Sequence, residues 1–276
     1  MNERKLKVII LTHGGVIRLL ELLSAIETVE IAGVFLETAI TPQRSLKQKI
    51  ERSIRYDGYW ETFKKFSGKF LGRENGGAED AKTIYNRQEE LEKFATQRNI
   101  PFYKVENFHH AATLDLIRQT NAALGIVYGT NIIKESVFSI PKRGSINLHQ
   151  GLAPFYRGGP TVFWELFNGE REIGITVHYV TAKVDTGDII LQKTVPLEYD
   201  FLRYGLDYQS FLRDYRASLV EPSMQVVAEA VRLISEGRET RTKQDTSLGR
   251  RYRLPVKSEK DALLRILRKR QKQNRS

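Results

Sequence analysis

Asn147 and His149 stand one residue apart at the close of SINLH, residues 145–149. Successive side chains of a strand point to opposite faces, so these two share one. The amide offers a neutral hydrogen bond. The imidazole can hold or pass a proton near neutral pH. Downstream, VDTGD at 184–188 puts Asp185 on a glycine-bearing loop. A carboxylate beside an imidazole favours the charged ring and fixes its orientation. Such a set suits a reaction in which a carbonyl oxygen gains charge as its carbon becomes tetrahedral. The bland alternative uses the same residues as a hydrogen-bonded strand end and a solvated loop acid.

The other histidines are less telling. His13 ends the first apolar run, a place where α/β folds bind ligands. His109 and His110 precede a helix and read as a surface pair. His178 lies in the alternating run ITVHYV and fits a satisfied core imidazole.

These residues need elements to hold them. LKVIILT at 6–12 is a continuous β-branched-rich run, as in a strand buried on both faces. A His13-Gly14-Gly15 turn, the helical spacing of VIRLLELLSAI and a second strand at 29–37 follow. This opening argues for a parallel sheet with crossover helices. The pattern continues with a helix in AKTIYNRQEELEKFATQRN, a short strand at 100–105, a helix in AATLDLIRQTN, a buried strand at 122–129, a short helix in IIKESVFSIPKRG, the strand SINLH and a helix in GPTVFWELFNGE. From residue 173 two extended segments flank the Asp185 loop. FLRDYRASLVEPSMQVVAEAVRLISEG reads as one long helix, followed by a basic extended segment and a short basic helix in DALLRILRKRQKQ. The division expected is 1–200 for a catalytic domain and 201–276 for a helical, basic C-terminal extension.

The chain of 276 residues has ample length for a core. It has no cysteine, which excludes disulfides, thiolate metal sites and a thiol nucleophile. The absence of cysteine, and an N-terminal apolar run too short for a signal peptide or a span, lead us to expect a cytoplasmic protein without a membrane partner. Net charge is +11, and residues 238–276 hold 14 Lys and Arg against 4 Asp and Glu. A second basic stretch covers 41–73. Such patches attract nucleic acid, anionic lipid or phosphorylated small molecules, or are simply solvated.

GSINLHQGLAPFYRGG and ITVHYVTAKVDTGDIILQ, in that order and at helix-sized spacing, resemble the folate-dependent formyltransferases that act on glycinamide ribonucleotide, methionyl-tRNA or amino sugars. IVYGTNIIKESVFSIPKRG carries a weaker likeness. The resemblance implies a Rossmann-like, mostly parallel sheet with helices on both faces. It places the catalytic roles on Asn147, His149 and Asp185 and implies 10-formyltetrahydrofolate as formyl donor. The folate pocket maps to Ile126 through Ile133 and to Thr181–Asp185, with Tyr128, Gly129 and Val184 as binding candidates. His13, Gly14, Gly15, Tyr156 and Arg157 are substrate-binding candidates, and no metal is implied.

Two departures narrow the acceptor. The first turn, HGGVIR, lacks the Gly-x-Gly-Ser-Asn pattern of the glycinamide ribonucleotide enzymes, although Gly14 and Gly15 at a helix start could cradle a phosphate. The segment after 201 reads as short and helical beside the barrel of transfer-RNA formylating enzymes. An amine on a phosphorylated small molecule, such as a nucleotide-linked amino sugar, is therefore the expected acceptor. Transfer RNA is the alternative acceptor. Hydrolysis of formyltetrahydrofolate and RNA binding on the same scaffold are the alternative functions.

Overall fold

The computed structural model describes residues 5–38, 48, 51, 55–56 and 81–273, with the side chains of 81–86 excepted. The basic stretch 41–73 therefore lies almost wholly outside the described residues.

A seven-stranded sheet organises the chain in the order β3-β2-β1-β4-β5-β7-β8. Its strands are β1 (Leu6–Thr12), β2 (Val29–Glu37), β3 (Phe102–Val105), β4 (Leu124–Tyr128), β5 (Ser145–His149), β7 (Glu172–Tyr179) and β8 (Ile189–Pro196). The first five run parallel, and β7 and β8 close the edge as an antiparallel hairpin. Two further strands, β6 (Tyr156–Gly158) and β9 (Arg250–Tyr252), form a small parallel pair of their own. β6 was not expected from the sequence, because three residues carry too little alternation to register, whereas β9 falls in the stretch expected as a basic extended segment.

The helices are α1 (Ile17–Ser24), α2 (Ala81–Gln97), α3 (Ala111–Gln119), α4 (Glu135–Phe138), α5 (Phe163–Asn168), α6 (Phe201–Tyr204), α7 (Tyr208–Ser218), α8 (Val220–Ser235) and α9 (Lys257–Gln273). The alternation of β1 sorts them into two layers. Val8 and Ile10 join one buried cluster with Leu20 and Leu23 of α1 and Val227 and Val231 of α8. Ile9 and Leu11 join another with Ile117 of α3 and Val137 of α4. This is the fold class expected, a Rossmann-like sheet with helices on both faces.

The segment expected as one long helix is two, α7 and α8, meeting at Leu219. Pro222 lies in the first turn of α8, where its missing N–H costs nothing, whereas mid-helix it would break the ladder. The stretch after 201 also packs as part of the core. Phe211, Met224, Leu263 and Leu267 are all buried in the same cluster as Val8 and Ile10.

The strand order reverses between β1 and β4, which lie side by side while their connections run to opposite edges. Such a switch point leaves a crevice at the carboxyl ends of the strands. His13 follows β1, and Tyr128 ends β4 beside Thr12.

Candidate active site

Asn147 and His149 end β5, where β4 flanks them on one side and β7 on the other. The antiparallel register sets Asn147 opposite His178 and His149 opposite Thr176. Directly opposed residues put their side chains on the same face. Four polar side chains thus crowd the carboxyl edge of the sheet.

Asp185 reaches this edge from the loop after β7. Its backbone is left-handed, φ +52. The turn is braced by Thr181 and Thr186, whose hydroxyls lie 2.9 Å apart and both donate to the Lys183 carbonyl. Gly187 is demanded by a close approach: a Cβ there would lie 1.8 Å from the Tyr179 carbonyl oxygen. So held, Asp185 Oδ2 lies 3.4 Å from His149 Nδ1 and Oδ1 lies 3.4 Å from His178 Nε2. The backbone N–H of Gly158 donates to Oδ2 at 2.8 Å.

Burial pushes the Asp185 carboxyl up. Hydrogen bonding from His178, the charge of His149 and the Gly158 N–H outweigh it and hold the group down at about 2. Asp185 is therefore an anion throughout the physiological range. His149 is lowered from its ordinary value, chiefly by burial, with Asp185 and the Tyr156 carbonyl pulling the other way. Its Nε2 lies 2.6 Å from that carbonyl oxygen, so both ring nitrogens face oxygen acceptors. Only a doubly protonated ring satisfies both at once.

His178 is the member that its sequence environment did not single out. Its Nδ1 donates to the Tyr179 carbonyl at 2.8 Å. Its Nε2 then sits 3.4 Å from both Asn147 Nδ2 and Asp185 Oδ1. The ring links the amide to the carboxylate. The signal was cross-strand pairing with Asn147, which alternation within one strand does not reveal.

The loop from Gly151 to Gly159 covers His149. Thr176 Oγ1 donates to the Gly151 carbonyl at 2.7 Å, and Gln192 Nε2 donates to the Ala153 carbonyl at 2.7 Å. Tyr156 turns its carbonyl to His149 and its ring away, stacked on Tyr252 at 5.1 Å, with its hydroxyl donating to Glu170 at 2.7 Å. Arg157 donates to the carbonyls of Pro154, Thr246 and Gly249. Its guanidinium is thus a strut between this loop and the C-terminal segment.

The remaining candidates border the same edge. Tyr128 is half-buried, and burial pushes its phenol up to about 12. Gly129 is left-handed, φ +63, and a Cβ there would meet nothing within 4 Å. Val184 is half-buried beside Asp185. Val180, next to the second segment assigned to the folate pocket, packs in one apolar cluster with Val127 and Ile133 of the first. Apolar walls fit a flat heterocycle. Further along the edge, His13 Nε2 lies 2.7 Å from Glu37 Oε2, and Glu37 Oε1 accepts the Phe108 N–H at 2.9 Å. Gly14 and Gly15 are left-handed, φ +123 and +71.

Fold and site together define a Rossmann-like α/β protein with an Asn/His/Asp cluster at the carboxyl edge of its sheet. Residues 74–200 match the Formyl transferase family model. The methionyl-tRNA formyltransferases of Fusobacterium nucleatum and Geobacter sulfurreducens are 32% and 33% identical to this chain over 160 and 159 residues. Those matches cover 57% of this chain and 48% and 47% of the relatives, so the chain spans about half the length of the curated relatives it matches. A glycinamide ribonucleotide transformylase from Symbiobacterium toebii superposes with TM-score 0.55 at 18% identity, covering 87% of this chain and 93% of its own. A sugar N-formyltransferase from Shewanella gives 0.52 at 13% identity, covering 90% and 76%. At these identities the two structures share the fold.

Proposed function

We propose that this chain moves a formyl group from 10-formyltetrahydrofolate to an amine of a phosphorylated small molecule, of which a nucleotide-linked amino sugar is the first choice. The observation that carries the reading is the shared grip of Asp185 on His149 and His178, with Asn147 beside them. The amine nitrogen attacks the formyl carbon, and the carbonyl oxygen gains charge. Asn147 Nδ2–H donates to that oxygen, and His149, kept oriented by Asp185 and the Tyr156 carbonyl, stands beside it on the same face of β5. The carbon–nitrogen bond to the folate then breaks, and a proton released by the amine ends on the leaving nitrogen. The pterin ring fits against Tyr128, Gly129 and Val184. His13, Gly14 and Gly15, at the other lip of the switch-point crevice, are placed for the acceptor's anionic group. The test is incubation with formyl donor and a panel of nucleotide amino sugars, glycinamide ribonucleotide and charged transfer RNA. His149→Ala and Asp185→Ala should each abolish transfer while the fold persists; unimpaired turnover in both would sink the assignment.

A transfer-RNA acceptor is the second reading, favoured by the names of the relatives that match over half this chain. It predicts activity in the transfer-RNA arm of that panel, falling steeply with salt as Lys and Arg give up phosphate contacts. Formate release without any acceptor would favour hydrolysis instead.

A further inference from the structure

The reaction proposed above lacks one part. An alkylamine is an ammonium ion at neutral pH, with a pKa of about 10 like that of lysine. It must lose a proton before its lone pair can attack. Asp185, held at about 2, is too weak a base to take it. His149 already faces oxygen acceptors with both nitrogens.

A base of the right kind sits next door. His149 and Glu165 line one small cavity of about 10 Å³, roughly the room for a single water. An open cavity of about 540 Å³ adjoins it, sharing Tyr156, Glu165 and Tyr252. Among the described residues, the larger wall carries Glu165, Glu170 and Glu172 against one cation, Arg250. In a chain of net charge +11 this is an acid-walled cavity set against the overall field.

Glu165 is the distinctive member. It is only 3% exposed, and its Oε2 has no hydrogen-bond partner among the described residues. A buried carboxylate oxygen left unpaired is costly. Glu165 lines both cavities, so a donor entering them would satisfy it.

We propose that the acid-walled cavity receives the acceptor's ammonium group and that Glu165 takes its first proton. The inference rests on the formyl-transfer reading and names the base within it. Two protons are then accounted for. One passes from the ammonium to the Glu165 carboxylate, giving a neutral amine and a carboxylic acid. The second leaves the nitrogen after attack and ends on the leaving nitrogen of the donor. Burial lifts Glu165 to about 7, with Glu170 acting in the same direction, while local backbone hydrogen bonding and Arg216 of α7 oppose. Tyr215 of α7 also feels its charge. Arg157, His149 and Tyr252 face it across the small cavity. A carboxyl tuned near neutrality is matched to alternating between proton acceptor and donor at working pH.

The experiment is the pH profile of formyl transfer to whichever amine of the panel is active, in wild type, Glu165→Gln and Glu170→Gln/Glu172→Gln. The amide introduced by Glu165→Gln keeps the size of the side chain and cannot titrate. This variant should lower kcat by about 10²- to 10⁴-fold at neutral pH. Its rate should then climb with pH as the amine deprotonates in solution, while wild type levels off above about 7. Tetrahydrofolate binding and the thermal midpoint should stay at wild-type values. The rim double variant should raise KM for the amine and leave kcat unchanged. A Glu165→Gln profile parallel to wild type would overturn this inference and leave formyl transfer standing. Wild type that transfers to no amine would overturn both. Should Glu165→Gln fail to fold, the rim variant decides: an unchanged KM removes the cavity from the acceptor's path.

Discussion

The backbone N–H of Gly158 donates to Asp185 Oδ2 at 2.8 Å. The turn after the Asn/His strand therefore holds the loop carboxylate directly. Gly158 can do this because its backbone is left-handed, φ +76, and a Cβ there would lie 2.6 Å from the Tyr252 carbonyl oxygen. Gly158→Ala should thus cost stability of about 1–3 kcal/mol through backbone strain. It should also weaken the bond to Asp185 and lower formyl transfer by roughly tenfold, the equivalent of about 1.4 kcal/mol. Chemical denaturation and steady-state kinetics on the same preparation test both. A stable variant with full activity would break the link between turn and carboxylate.

His178, the penultimate residue of β7, bridges Asn147 and Asp185. His178→Ala should lower kcat by at least about tenfold, or about 1.4 kcal/mol, with KM for the acceptor nearly constant. Kinetics decide the matter: equal kcat in the variant would make His178 a packing residue.

Asp185 also makes stability depend on pH. Its folded value, about 2, lies below the unfolded value of about 3.9. A depressed carboxyl stabilises above its unfolded value and loses that contribution as pH falls through its folded value. The contribution is on the order of 2–3 kcal/mol. His149 acts in the same sense, since a lowered imidazole costs stability as pH drops below about 6.5. Urea denaturation of wild type and Asp185→Asn should show a gap that is widest near neutrality and narrows between about pH 4 and 2. A gap constant over that window would refute the ion-pair account.

Leu263 and Leu267 of α9 are fully buried in the main core. Leu263→Ala should destabilise the whole protein by about 2–5 kcal/mol. A single transition at lower denaturant is the expected outcome. Unchanged stability, or a separate early transition, would make the segment a true appendage.

Much of this was readable in the chain and some was not. Asn147 and His149 were legible because they close an apolar run with the spacing of two that a strand requires. Asp185 was legible through its turn residues. His178 looked like any core imidazole, since its role depends on a register across β5 and β7. Arg157 read as a substrate contact, but its partners Thr246 and Gly249 are far along the chain, and no local pattern announces them. Leu263 and Leu267 had helical spacing, yet their surrounding charge disguised a core-facing stripe as a solvated tail. Local periodicity names elements; the pairing of distant segments assigns their neighbours.

The pairing of β6 with β9 has a consequence for how the protein is made. The turn that grips Asp185 is braced by residues 250–252, synthesised long after the strand that carries His149. A chain still emerging from the ribosome holds Asn147, His149 and Asp185 before it has the strand that locks their cover.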